Sequence, residues 1–392
     1  MRLPAGTRDW LPAELHRKRA VEGVLRSVFE RWAYDEVQTP NFERFDALEA
    51  GLGESLASKT FLFADKTGTQ LALRPEMTTP VARLVATRMR EAPLPIRLSY
   101  IAPTYRYEEP QEGRMRESTE AGLELIGPQS LDADAESLFT AIEALDALGL
   151  DDTLFDINHV AIVDGALAGL ELDEAALARC KALISGRNIV ALRAALAGTG
   201  APAAIEDIVG LVMTRGRDEV LATARRLCHT DVGHAGIERL RQIMLRADRL
   251  GVGARISVDC SLLRDITYYT GFIFEGFANE VGFELCGGGR YDSLLPLFGF
   301  DVGAVGWALA VERILIALER RHSTQFGSAP AIDVLVSGSD VVAARERAAG
   351  KIVRIDFDRL AEADLVIEAR RQRIPRVVIA GNGSVREVQV TW

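Results

Sequence analysis

From Pro12 onward, apolar residues recur at Val21, Val24, Leu25, Val28, Phe29 and Trp32, a spacing that lays one stripe along one face of a helix. The following "YDEVQTP" reads as a short extended piece stopped by Pro40, and Leu71 and Leu73 suit a strand. Thr78 to Arg90 predicts a helix with Pro80 in its first turn, so Arg74 and Glu76 fall at a strand-to-helix junction. Residues 129 to about 150 read as a helix, and "HVAIVDGAL" resumes apolar character. From about Leu172 to Leu250, Ala- and Leu-rich amphipathic segments broken at "AGTGAPAA" predict a helical insertion. Strand character returns in "ARISVD", "TYYTGFIFEGF" and "VGFELCGGGRYD". "AVGWALAVERILIALERR" then reads as one largely apolar helix, with Arg313 among Trp307, Leu309, Val311, Ile314 and Leu315. An arginine in such surroundings snorkels to water or has an anionic partner. Past "HSTQFGSAPA", the alternation "IDVLVSG", "VVAARERAAG", "KIVRID", "LAEADLVIEARRQ", "RVVIAG" predicts a compact α/β unit over 331–392.

One stretch is chemically dense. "RYEEPQEGRMRES", from Arg106 to Ser118, holds four acidic residues and three arginines around a Pro-Gln-Glu-Gly turn. Side chains on a strand alternate between two faces. Extended chain on either side of the turn therefore puts Tyr100, Thr104, Arg106 and Glu108 on one face, and Arg114, Arg116, Ser118, Glu120, Gly122 and Glu124 on one face. Met115, Ala121, Leu123 and Leu125 go to the reverse. Two readings fit this pattern: a half-solvated antiparallel hairpin whose ionic side meets water, or a pocket floor where arginines meet an anion and carboxylates meet a cation.

Composition narrows the class. A chain of 392 residues, 48% apolar and 26% charged, has room for two or three domains and a large core. A net charge of −10 argues against broad nonspecific nucleic-acid binding. Cys180, Cys228, Cys260 and Cys286 are widely spaced, without a CxxC or a neighbouring histidine cluster, so reduced buried thiols are expected, and neither a disulfide framework nor a metal site. The beginning "MRLPAGTRDWLP" lacks the apolar stretch of a secretory signal and no run of 18 apolar residues occurs, which leads to the expectation of a cytoplasmic protein away from membranes.

Taken in order, "GTRDWLP" at 6–12, "LRPEMT" at 73–78, "YRYEEPQEGRMR" at 105–116, "RDITYYTG" at 264–271, and "GGGRYDSL" with "AVERILIAL" near 287–318 resemble the catalytic core of class II aminoacyl-tRNA synthetases, specifically histidyl-tRNA synthetase. The resemblance implies an α+β fold: an antiparallel sheet flanked by helices over 1–325, with the helical insertion at about 172–250 and the small α/β domain at 331–392. It also implies a dimer built around the first helix and the segment ending at Pro40. By the same resemblance, Arg106, Glu108, Arg114 and Arg313 correspond to an ATP site, here vestigial, where planar guanidinium forks suit phosphate oxygens. Histidine would be held by Glu76 and Thr78 at its ammonium, and by Glu124 with a tyrosine of the Tyr268–Tyr269 pair at its ring. Arg106, Glu120 and Arg264 complete that expected pocket.

Departures point to one branch. A synthetase reads "RGLDYYT" and "RQFHQFGVE" where this chain reads "RDITYYT" and "RESTEAGLE", which places Asp265, Thr267, Thr119 and Glu120 at altered aminoacylation positions. The charge of Glu120 in place of an amide, near Glu76, would disturb a bound carboxylate. Residues 331–392 carry ten Lys/Arg against nine Asp/Glu, without the basic surplus of an anticodon-binding domain. "INHVAIVDGALAGL" and "LLRDITYYTGFIFEGF" are more similar to a paralogue of the synthetase, the regulatory subunits of ATP phosphoribosyltransferase. That resemblance implies a subunit with no catalytic residues and no cofactor, a homodimer within a hetero-oligomer. Its partner is a short-form catalytic subunit, its effector L-histidine, and tRNA is not expected. An active histidyl-tRNA synthetase is the alternative.

Overall fold

The computed structural model describes residues 2–263, 269–326, 331–381 and 384–391. The chain divides into two compact units, Met1–Asp9 with Lys18–Gln325, and Trp10–Arg17 with Phe326–Trp392.

Helix α1 (Pro12–Arg31) forms where the apolar stripe requires it, and Val21, Leu25, Val28 and Phe29 are buried. Each such side chain contributes roughly 1.5–3 kcal/mol by leaving water. Trp32 lies one residue past the helix end. There follow β1 (Asp35–Glu36), β2 (Phe42–Arg44), α2 (Phe45–Ala57), β3 (Leu62–Ala64), β4 (Gln70–Leu73), α3 (Thr78–Arg88), β5 (Ile96–Tyr105), β6 (Glu117–Gly127), α4 (Leu131–Ala147), β7 (Leu154–His159) and α5 (Val160–Leu167). The Ala/Leu-rich stretch folds as α6 (Glu174–Ser185), α7 (Ile189–Leu196), α8 (Pro202–Met213), β8 (Arg215–Gly216), α9 (Asp218–Leu227) and α10 (Asp231–Arg249). Then come β9 (Ile256–Asp259), β10 (Phe272–Phe277), β11 (Glu284–Arg290), β12 (Gly303–Ala310) and α11 (Val311–Arg320).

The main sheet has the order β1-β5-β6-β12-β11-β10-β7-β9-β8. It is antiparallel in its centre, with parallel pairs β1–β5 and β7–β9 toward the two edges. A smaller sheet, β2-β4-β3, lies apart from it. The insertion is helical as expected, except that the two-residue β8 joins the edge of the main sheet.

One expectation is corrected. "AVGWALAVERILIALERR" is not one helix: its first half is strand β12, and only Val311 onward is helical. A central strand is covered on both faces and reads as a continuous apolar run, so the two-residue period that would mark it is absent. Trp307 and Leu309 consequently point from a strand, and Trp307 packs edge-on against Phe29 of α1, with its indole N–H donating to Thr140 Oγ1 of α4 at 2.9 Å.

The second unit is a four-stranded sheet built from β13 (Val334–Ser337), α12 (Asp340–Ala348), β14 (Val353–Asp356), α13 (Glu362–Arg371), β15 (Arg376–Gly381) and β16 (Ser384–Gln389), ordered β14-β13-β15-β16. The strand β16, antiparallel to β15, was not anticipated. Its alternation "SVREVQ" is mostly exposed and lacks the apolar run that reveals the other three.

Candidate functional site

The β5–β6 hairpin puts its even-numbered residues on one face, and β12 continues that face. The register pairs Leu98 and Gly306 with Glu124, Tyr100 and Ala308 with Gly122, and Ala102 and Ala310 with Glu120. Small residues on β12 and in the glycine run of β11 leave a hollow above this floor. A Cβ on Gly306 would collide with the Glu124 carboxylate, and one on Gly122 would stand 2.7 Å from the Tyr100 hydroxyl. Only glycine permits this approach at either position.

The hollow is a cavity of about 980 Å³, its open mouth included. Its lining contains Glu76 and Thr78 from the β4–α3 junction, Arg106, Glu108 and Arg114 from the hairpin turn, and Glu120 from β6. Tyr269, Glu284, Tyr291, Glu312 and Arg313 complete the polar wall. Eight of the expected residues therefore converge: Glu76, Thr78, Arg106, Glu108, Arg114, Glu120, Tyr269 and Arg313. Arg264 and Tyr268, with Asp265 and Thr267, lie outside the described residues.

The junction is held from below. Arg74 is fully buried; its Nε donates to Pro103 O at 2.8 Å, and its Nη1 to Thr39 O at 2.8 Å and to Pro40 O at 3.1 Å. Because these acceptors are neutral carbonyls, burial lowers the Arg74 pKa. Glu76 accepts from Thr79 N at 3.0 and 3.2 Å through its two carboxylate oxygens, and so caps the start of α3, where a negative group is favoured. Burial nevertheless raises its pKa.

Glu120 accepts from Arg106 Nη2 at 2.6 Å, while Arg106 Nε donates to Pro75 O at 2.7 Å. Burial pushes the Glu120 carboxyl up to about 7, opposed by Arg106 and reinforced by the negative charge of Glu76. Arg313 donates from Nε to Gly113 O and from Nη1 to Glu284 O, each at 2.8 Å, and pairs with Glu284 Oε1 at 2.6 Å. The anionic partner required by its position in the sequence is thus Glu284. Glu312 accepts from Thr119 N at 2.8 Å and stands 3.8 Å from Lys18 Nζ.

Glu124 departs from the expected arrangement. It is 1% exposed and lies beneath the floor instead of lining the cavity, because the Tyr291 hydroxyl donates to its Oε2 and the Tyr100 hydroxyl to its Oε1 at 3.2 Å. Burial pushes its carboxyl up to about 8, against the hydrogen bonds that favour ionisation. The reading of the hairpin as a solvated ionic surface is also corrected. Glu120 and Glu124 are buried, and Arg116 stacks 4.2 Å from the Tyr107 ring centre and donates from Nε to Glu108 O.

Tyr291, Glu284, Glu312 and Gly306 were not singled out by sequence reasoning. Tyr291 and Glu284 lie in or beside "ELCGGGRYD", and Glu312 directly precedes Arg313; their roles depend on which strands become neighbours.

Among the described residues no group of three or more His, Cys, Asp or Glu could hold a metal ion, and no helix is long and apolar enough to cross a membrane. The four cysteines are outside any disulfide and buried.

This architecture has relatives. The family profile described as histidyl-tRNA synthetase matches residues 6–314. An ATP phosphoribosyltransferase regulatory subunit of Desulforamulus reducens is 40% identical over 340 residues, 86% of this chain and 84% of that protein. One of Symbiobacterium thermophilum is 36% identical and covers 98% of both chains. The chain belongs to the family of ATP phosphoribosyltransferase regulatory subunits. A solved structure from Bacillus halodurans described as an ATP phosphoribosyltransferase regulatory subunit/histidyl-tRNA synthetase superposes with a TM-score of 0.83 at 27% identity, over 97% of this chain and 98% of that one. This chain thus has the class II synthetase-like fold, with a polar cavity on the central sheet.

Proposed function

We propose that this chain is a non-catalytic subunit that activates a short-form ATP phosphoribosyltransferase catalytic subunit and holds L-histidine in the cavity as the feedback signal. The observation that carries the ligand is the buried carboxyl cluster. Glu76, Glu120 and Glu124 crowd together in low dielectric, each with its pKa raised by burial. Such a cluster gains most from a cation that supplies both charge and N–H donors. The ammonium of histidine would lie at Glu76, Thr78 and Glu120. Its ring would lie at Tyr269 and Tyr291, with Tyr291 donating its proton to Glu124 and accepting from a ring N–H. Glu124 then acts on the ligand from beneath, through the tyrosine. Arg264 and Tyr268 belong to the same proposed pocket by resemblance.

Feedback follows if histidine binds the inhibited assembly better than the active one, since a ligand with equal affinity for both shifts nothing. The assembly is proposed as a homodimer of this chain within a hetero-oligomer located in the cytoplasm. Family membership and the altered positions Thr119 and Glu120 support a role without aminoacylation.

The test is the histidine inhibition curve of the complex reconstituted with wild-type or Glu124→Ala chains. The variant should weaken inhibition about 5- to 150-fold while uninhibited activity survives. Superimposable curves would place the effector elsewhere.

A further inference from the structure

Among the described residues three arginines line the cavity, and they differ in what holds them. Arg106 is engaged by Pro75 O and by Glu120 at 2.6 Å, and Arg313 by Gly113 O, Glu284 O and the Glu284 carboxylate at 2.6 Å, with the Phe283 ring centre 5.4 Å from its guanidinium carbon. Arg114 is exposed and makes no ion pair among the described residues. We propose that Glu120 and Glu284 determine the ligand class of this cavity: by occupying the guanidinium groups of Arg106 and Arg313 from within the chain, they exclude polyphosphate anions and leave the cavity to ligands that present an ammonium group to its carboxylates.

The reason is a competition between anions for the same two forks. A phosphate reaching Arg106 must displace Glu120, which is buried and stands near Glu76, itself without an ion pair among the described residues. The displaced carboxylate would be stranded in low dielectric beside a like charge, which costs more than exchanging one anionic partner for another returns. At Arg313 the anion to be displaced is Glu284, whose side chain is about one-third exposed, so that barrier is lower. The remaining carboxylates do not reverse this balance: Glu108 already pairs with Lys59 at 3.2 Å, and Glu312 faces Lys18 at 3.8 Å. Among the described lining residues Arg114 alone remains as an anion contact at the mouth, and one exposed arginine is a weak, salt-screened site. A neutral amide at positions 120 and 284 would keep the volume and remove both competing charges, while Arg106 stays bonded to Pro75 O and Arg313 to Gly113 O and Glu284 O.

The proposal rests on the cavity as the ligand site and on no particular ligand. The full-length chain would be titrated with inorganic tripolyphosphate at pH 8, above the value of about 7 to which burial raises Glu120. Wild type, Glu120→Gln, Glu284→Gln and the double variant would be compared by calorimetry, with L-histidine titrated into the same samples. The double variant should bind tripolyphosphate about tenfold or more tighter than wild type, and Arg106→Ala on that background should remove most of the gain. Equal affinity of wild type and a folded double variant for the probe overturns the proposal. Should the double variant fail to fold, each single variant carries the same test for its own arginine. Loss of histidine binding by wild type would reject the histidine reading while leaving anion exclusion to be decided by the probe.

Discussion

Glu120→Gln should flatten the pH dependence of histidine binding, and the size of the effect follows from the burial of one carboxyl. In the ligand-free protein Glu120 is pushed up to about 7 by burial, with Arg106 and Arg74 pulling it down and Glu76 pushing it up. A bound ammonium favours the ionised form. If it returns Glu120 to its ordinary value of 4.5, linkage makes binding about tenfold tighter at pH 8 than at pH 6, or about 1.4 kcal/mol. The sign is fixed by which state holds the proton: affinity is lost as pH falls through about 7, because each binding event must then expel a proton. In the ligand-free chain the same raised carboxyl acts on folding in the opposite sense. The folded state binds the extra proton, so this group's contribution to stability declines as pH rises from 4.5 through about 7. The assay is calorimetric titration of histidine into wild type and variant from pH 6 to 8, in two buffers of different ionisation enthalpy. Ionisation of histidine itself is common to both proteins and cancels in the ratio of their dissociation constants. That ratio should change about tenfold across the range. A ratio that stays constant would falsify the assignment of Glu120 to the ammonium.

Gly306→Ala places a methyl group against the Glu124 carboxylate and the carbonyl of Leu123; it should lower stability by about 1–3 kcal/mol and abolish histidine binding, and a wild-type melting temperature with intact binding would contradict the strand register. Tyr291→Phe removes a hydrogen-bond donor from buried Glu124; the expected loss is about 1–3 kcal/mol, read by chemical denaturation, together with weaker histidine binding, whereas no change in either means that Glu124 is satisfied without it. The purified chain should not charge tRNA with histidine, and robust aminoacylation at ordinary enzyme concentrations would reverse that reading.

The local chemistry of this protein is written in its sequence. The stripe of α1, the start of α3 with Pro80 in its first turn, the helical insertion and the alternating α/β unit each follow from periodicity and turn residues that act over a few positions. Parity put Arg106 on one face of its strand and Glu120 with Glu124 on one face of theirs, the order of motifs pointed to a class II synthetase-like core, and the departures from it, with "INHVAIVDGALAGL" and "LLRDITYYTGFIFEGF", pointed to the regulatory-subunit family. Whether that face met water or lined a cavity was not legible, because it depends on β12 and the glycine run of β11 lying beside β6 in the same sheet. β12 was itself hidden in an apolar run that strand and helix share. The partners of the arginines were equally out of reach: Glu284 meets Arg313 across 29 positions, and Tyr291 meets Glu124 across 167. Sequence therefore determined which groups could bind a charged ligand. The tertiary structure decided which of them were already neutralised and which were buried, because ion pairing and desolvation depend on distance in space and on excluded water.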